Sequence, residues 1–255
     1  MNKRTALITG ASAGIGRAVA FALGRQGYQL VLLARRPERL ASVEYELGDI
    51  TGCHCVDVDI TDSGALEQVI ARLPGGFKEI DVLINNAGLA QGLGTAQQAD
   101  WSDWSTMIDT NCRAAAHLVQ LVLPGMVDRN QGHIVNMGSV AGSYPYPGGN
   151  IYAASKAFIE AFTLNLKADL FGTLVRVTNI EPGMVGGDSE FSLVRNKGDQ
   201  AAAAKTRQGL AALEPEDIAE CVTWVLRQPA HVNINRIEVM PTAQAPGRMA
   251  YDRKS

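Results

Sequence analysis

Tyr152 and Lys156 lie four residues apart in "NIYAASKAF" (150–158), a stretch of small, helix-compatible residues. That step stacks the two side chains on one helix face. A free phenol titrates at about pH 10, too high for ready proton exchange at neutral pH. An ammonium about 4 Å away, at an effective dielectric of about 20, is worth roughly 4 kcal/mol. That corresponds to about three pKa units, so the spacing predicts a Tyr152 phenol titrating at roughly 7–8. A group in that range suits general acid–base work. Ser139 ends a strand-like run, "GHIVNMGS" (132–139). A hydroxyl at the carboxyl end of such a strand can hydrogen-bond a substrate oxygen and stabilise its developing charge.

A second constellation is "TGASAGIG", from Thr9 to Gly16, directly after an apolar strand and opening a helix. Gly10, Gly14 and Gly16 permit a tight turn and close backbone approach to a pyrophosphate. Ser12, Ala13 and Ile15 lie within the same loop, and the helix start offers free N–H groups. This context predicts a dinucleotide site, where glycines alone would be weak support. An NAD site usually carries an acid about twenty residues further on. Here the second strand ends in Ala34, Arg35 and Arg36. A carboxylate would repel a 2′-phosphate, whereas guanidinium groups bind it by charge-assisted hydrogen bonds. The expected cofactor is therefore NADP(H), against the alternative of two solvated surface arginines. The oxidised nicotinamide would add to the positive charge around Tyr152, and Lys156 would also reach its ribose hydroxyls.

The elements that must position these groups alternate along the chain. Strand-like runs fall at 5–9, 28–34, 53–59, 80–88, 132–139, 174–182 and 235–241. Helical patterns fall between them, at about 15–26, 37–47, 64–73, 101–122, 150–171 and 214–226, with a loop-rich insert at about 183–210. Successive βαβ units predict an α/β fold: one Rossmann-type, doubly wound parallel sheet of about seven strands with helices on both faces. The 255 residues are read as a single domain, 1–255, with a substrate lid at 183–210 and a tail at 241–255. A net charge of −3 argues against nucleic acid or an anionic membrane as partner. There is no apolar run of membrane-spanning length and no signal-peptide pattern. Cys53, Cys55, Cys112 and Cys221 lack a disulfide-framework spacing, so a reducing cytoplasm is expected. "CHC" (53–55) alternates along a strand and offers no fourth ligand, so no metal is expected. Trp101, Trp104 and Trp224 read as helix packing residues.

The T-G-x-x-x-G-x-G spacing, together with "NNAG" (85–88), Ser139, Tyr152-x-x-x-Lys156 and "PG" (182–183), resembles the short-chain dehydrogenase/reductase family over nearly the whole chain. The resemblance implies nicotinamide-dependent carbonyl reduction or alcohol oxidation by Asn111, Ser139, Tyr152 and Lys156, with Asn111 helping to hold a relay water near the lysine. It places Asp59 and Ile60 beside the adenine, a turn role for Asp59 being compatible. Asn86, Ala87 and Gly88 would lie near the cofactor ribose, with Asn86 fixing the backbone. Pro182, Gly183 and Val185 would flank the nicotinamide, and Ser189 would supply a hydroxyl beyond them.

"GSYPYPGGNIYAASKAF", "IEPGMVGG" and "EFSLVRNKGD" narrow the similarity to NADP-dependent 3-hydroxy acid dehydrogenases and sulfoacetaldehyde reductases. That implies a small anionic carbonyl or alcohol substrate, walled by Tyr144, Tyr146 and Asn150. Arg195, and second Lys197, are the expected anion contacts. It also implies a homotetramer or homodimer, pairing through the helices near 101–122 and 150–171. The tail, with Arg248 or Arg253, is a candidate to reach a neighbouring pocket. The rival functions are a noncatalytic NADP(H)-binding regulator, a carbonyl reductase of different substrate class, and an epimerase or dehydratase. Retention of all four catalytic residue types argues against the regulator, and the extended epimerases need a larger substrate portion.

Overall fold

In a computed structural model of the chain, residues 3–186, 190–207, 209 and 211–247 are described. Among them seven strands form one parallel sheet: β1 (Thr5–Thr9), β2 (Gln29–Ala34), β3 (Cys53–Asp57), β4 (Ile80–Asn85), β5 (Gly132–Met137), β6 (Val175–Pro182) and β7 (Arg236–Val239). Their order is β3-β2-β1-β4-β5-β6-β7, with every pairing parallel. The order reverses between β1 and β4, and the carboxyl ends of strands at such a switch point are where doubly wound sheets bind ligands.

Strand alternation divides the core between the two faces. Ala6, Ile8, Leu30 and Leu32 pack beneath α1 (Gly14–Arg25), α2 (Pro37–Leu47) and α9 (Pro215–Arg227). Leu7, Val31, Leu33 and Leu83 face α3 (Ser63–Ala71), α5 (Ala115–Asp128) and α6 (Asn150–Asp169). Both faces of each central strand are covered, which explains their unbroken apolar runs. This is the doubly wound Rossmann-type architecture expected from the βαβ pattern.

Three features depart from the sequence reading. The helix expected over 101–122 is α4 (Trp101–Ile108), a π-helical stretch over Asp109–Ala114, then α5. The wider turn alters the angular position of the residues after it, which helical periodicity does not reveal. The insert at 183–210 is less loop-rich than expected: it carries α7 (Phe191–Arg195) and α8 (Gln200–Arg207). Trp101 and Trp224 are 71% and 45% exposed, so neither is a buried packing residue of this chain.

His133 on β5 is buried, its Nε2 2.8 Å from Thr178 Oγ1 on β6. Burial, aided by Arg176, pushes its pKa down from 6.5 to about 3. Between those values the unfolded chain binds the proton that the folded chain refuses, so stability rises with pH across this window. It is present in full above the unfolded pKa and is lost progressively on acidification. From pH 6.5 to 5 this group should remove about 2 kcal/mol. Urea unfolding at the two pH values checks this: His133→Gln, which cannot gain the charge, should lose correspondingly less stability than wild type.

Candidate active site

A cleft of about 1000 Å³ opens over the switch point. Its floor is the loop from β1 to α1, where Gly10, Ser12, Ala13, Gly14 and Ile15 line the cleft. Gly10 has φ +66°, a left-handed conformation that favours glycine. A Cβ on Gly16 would overlap the Gly10 carbonyl oxygen, so this glycine lets the helix pack against the loop and does not itself line the cleft. Ala13 at the N-cap of α1 supplies no side-chain cap. The first-turn N–H groups of α1 therefore face the cleft as an anion site, which fits a pyrophosphate.

Thr9, at the end of β1, anchors the neighbouring motif. Its Oγ1 accepts hydrogen bonds from Asn86 N (3.0 Å) and Ala87 N (2.9 Å), while Asn86 Nδ2 donates to Thr9 O (2.9 Å). Asn86 thus ties the end of β4 to β1, and Ala87 and Gly88 continue along the cleft wall. A Cβ on Gly88 would sit 3.3 Å from Lys156 Nζ.

At the end of the cleft beside β2 and β3, Arg35, Arg36, Asp59 and Ile60 line it. Asp59 Oδ1 accepts from Thr61 N (2.9 Å) and Thr61 Oγ1 (2.7 Å), closing a turn, and its Oδ2 lies 3.9 Å from Arg35. The turn and cleft positions of Asp59 therefore coexist. Two guanidinium groups and no acid at the end of β2 fit a 2′-phosphate better than a bare ribose diol.

The opposite end brings Ser139, Tyr152 and Lys156 together. Ser139 follows β5. Its Oγ donates to Pro182 O at 3.4 Å and accepts from Ala141 N at 3.1 Å. Lys156 Nζ donates to Met137 O (2.8 Å) and lies 5.9 Å from the Tyr152 ring centroid. Burial pushes Tyr152 up to about 12, against the lowering influence of Ser139 and of the Arg195 guanidinium. Burial likewise pushes Lys156 down to about 8. The expected phenol near 7–8 is therefore not met in this state. The Lys156 ammonium is turned to a backbone carbonyl, and lost hydration dominates the phenol.

Asn111 is buried in the π-helical stretch, behind the cleft wall. Its Oδ1 accepts from Leu89 N (2.9 Å), while Nδ2 donates to Leu89 O (2.8 Å) and Ser155 Oγ (3.0 Å). Ser155 Oγ donates to Tyr152 O (2.7 Å), so the Asn111 amide braces the tyrosine's helical turn. Ser155 was not singled out from sequence. Its place one turn after the tyrosine, on the buried side, was the available signal.

β6 ends at Pro182, and Gly183 and Val185 continue from it, all three lining the cleft. Gln244, also unanticipated, accepts from Met184 N (2.8 Å) and lines the same end. Tyr144 and Tyr146 are wall residues; Tyr144 Oη donates to Glu238 (3.1 Å). Arg195, on α7, donates from Nη2 to Tyr146 Oη (2.8 Å), and its guanidinium carbon lies 5.6 Å from the Tyr152 ring centroid. Its buried Nε has no hydrogen-bond partner among the described residues.

Two expected substrate contacts fall elsewhere. Asn150, whose own φ is +25°, has Nδ2 donating to Gly94 O (3.2 Å) at a separate small pocket. Lys197 is drawn to Asp103 at 2.8 Å and lines that same small pocket. Ser189, Arg248 and Arg253 lie outside the described residues. Away from the cleft, Cys53, Cys55 and Glu44 hold their ligand atoms within 4.8 Å of one another, the one such group among the described residues. Burial raises the Cys55 thiol to about 12, which disfavours the thiolate that a metal would need.

The short chain dehydrogenase family model matches residues 4–197. The chain is 51% identical to the NADP-dependent 3-hydroxy acid dehydrogenase of Escherichia coli K12 over 239 residues, covering 94% of this chain and 95% of the relative. It is 47% identical to sulfoacetaldehyde reductase 2 of Chromohalobacter salexigens over 248 residues, covering 97% and 98%. A closed form of serine dehydrogenase complexed with NADP+ superposes with a TM-score of 0.95 at 49% identity, covering 98% of this chain and 100% of that one. Matched by the family model over most of its length and by relatives over nearly all of it, the chain belongs to the short-chain dehydrogenase/reductase family.

Proposed function

We propose that this protein is an NADP(H)-dependent oxidoreductase that interconverts a small anionic aldehyde or ketone and its alcohol, either a 3-hydroxy acid or a hydroxy-sulfonate. The observation that carries the substrate class is Arg195: a guanidinium beside Tyr152 with a buried, unpartnered Nε–H among the described residues. A carboxylate or sulfonate satisfies that donor and its charge together. The names of the relatives at 51% and 47% identity agree with this class.

NADP(H), when bound, supplies or accepts the hydride. The glycine loop and the first turn of α1 would hold its pyrophosphate, Arg35 and Arg36 its 2′-phosphate, and Lys156 its nicotinamide ribose. In carbonyl reduction Tyr152 Oη donates a proton to the substrate oxygen, and its raised pKa keeps that proton in place until it is needed. Ser139 donates to the same oxygen and stabilises its developing charge. Lys156 orients the site, and Asn111 acts through Ser155 to position Tyr152.

The remaining features support a cytoplasmic oligomer. No helix among the described residues is long and apolar enough to cross a membrane, and the cysteines are free thiols. Trp101 on α4 and Phe158 and Leu164 on α6 are exposed apolar side chains, which suits pairing of these helices in a homotetramer or homodimer.

Initial rates with NADPH and NADH against sulfoacetaldehyde, malonate semialdehyde and acetaldehyde, with L-allo-threonine oxidation in reverse, test this reading. We expect kcat/KM at least about tenfold higher with NADPH, because a charge-assisted phosphate contact is worth roughly 1.5–3 kcal/mol. The anionic aldehydes should exceed acetaldehyde by a similar factor. Equal or better use of NADH overturns the cofactor assignment. Cofactor binding without turnover of any substrate favours a noncatalytic regulator.

A further inference from the structure

We propose that Glu190 is a clasp that retains the cofactor: it fastens the lid to α2 across the adenine end of the cleft, and NADP(H) escapes only when that fastening opens. The inference rests on the reading of the cleft as an NADP(H) site. Glu190 Oε2 lies 2.5 Å from Arg36 and Oε1 lies 2.7 Å from Arg39. One carboxylate therefore spans the residue at the N-cap of α2 and one in its first turn. The next residue, Phe191, packs its ring 5.4 Å from that of Tyr152, centroid to centroid. Two consecutive lid residues thus line the cleft, one side chain contacting α2 and the other Tyr152.

The division of labour between the arginines makes the clasp compatible with a bound phosphate. Arg36 and Glu190 both line the cleft, and Arg39 does not. Arg39 can hold the carboxylate from outside while Arg35 and the remaining N–H donors of Arg36 face inward. A guanidinium has five such donors, so one contact does not exhaust it. All three side chains are partly exposed, so each ion pair is individually modest. A retention device needs only a modest energy, because dissociation slows by the factor that the clasp contributes.

Stopped-flow displacement of NADPH by excess NADP+, followed by NADPH fluorescence, measures the dissociation rate without turnover. We expect Glu190→Gln and Arg39→Gln each to raise that rate about fivefold, the scale of a partly exposed ion pair. The double variant should be no faster than Glu190→Gln, because the two residues make one contact. Raising salt should bring wild type towards the variants. Unchanged rates in both single variants overturn the clasp. So do independent, multiplying effects, and so does slower release from Glu190→Gln, which would mean that the carboxylate competes with the phosphate. Wild-type protein that fails to bind NADPH at all overturns the cofactor reading itself, and the clasp with it.

Discussion

Tyr152→Phe should lower kcat by at least about a hundredfold while NADPH binds with near wild-type Kd. The substitution removes one oxygen and keeps the ring, so the contact with Phe191 survives. What goes is the proton that Tyr152 holds at Oη. Ser139 cannot take over, because an unassisted hydroxyl is a far weaker acid than a phenol. Kd from NADPH fluorescence and kcat from steady-state rates separate the two effects. A variant that turns over near the wild-type rate would remove Tyr152 from the chemistry. One that loses NADPH binding would place its hydroxyl in cofactor binding instead. The raised pKa adds a sign: in the reduction direction wild-type activity should persist into alkaline pH, since the required form is the protonated phenol.

The sequence revealed the sheet and the glycine loop because both depend on local patterns. Strand runs covered on two faces are continuously apolar, and a turn that must approach a pyrophosphate needs glycine at fixed places. The helix at 37–47 agrees to the residue, since Pro37 marks its first turn and the apolar stripe Leu40, Val43 and Leu47 faces the core. The π-helical stretch at Asp109–Ala114 was hidden, because periodicity records which residues are apolar and not an expanded turn. The short helices of the lid were hidden by weak amphipathic patterning, "QAAAAKTR" being nearly featureless.

At the site, legibility followed the same division. Residues fixed by strand ends or helical spacing could be placed at the cleft, as Ser139, Tyr152 and Lys156 were. Asn150 and Lys197 were assigned to the substrate from nearness in sequence, yet Gly94 and Asp103, more than fifty residues away in each case, hold them elsewhere. The pKa of Tyr152 failed for a different reason. Spacing sets the attraction between two charges, whereas burial sets the cost of having the charge at all, and only the folded chain reveals that cost. The clasp was illegible for the reason Asn150 was misplaced: Glu190 and Arg39 are joined only by the tertiary fold.

Arg195→Ala should raise KM for malonate semialdehyde or sulfoacetaldehyde by about 10- to 100-fold and leave KM for acetaldehyde within a few-fold of wild type. The range follows from roughly 1.5–3 kcal/mol for a hydrogen bond to a charged group. The neutral aldehyde is the control that makes the result interpretable, because Arg195 also donates to Tyr146 and truncation would loosen that wall. A loosened wall weakens every substrate alike, whereas a lost cation weakens only the charged ones. Arg195→Lys refines the outcome. It keeps the charge but not the planar fork, so it should recover part of the affinity for both anions. Equal losses for charged and neutral aldehydes would leave Arg195 a structural brace of the lid, and the unpartnered Nε–H would then need a different ligand.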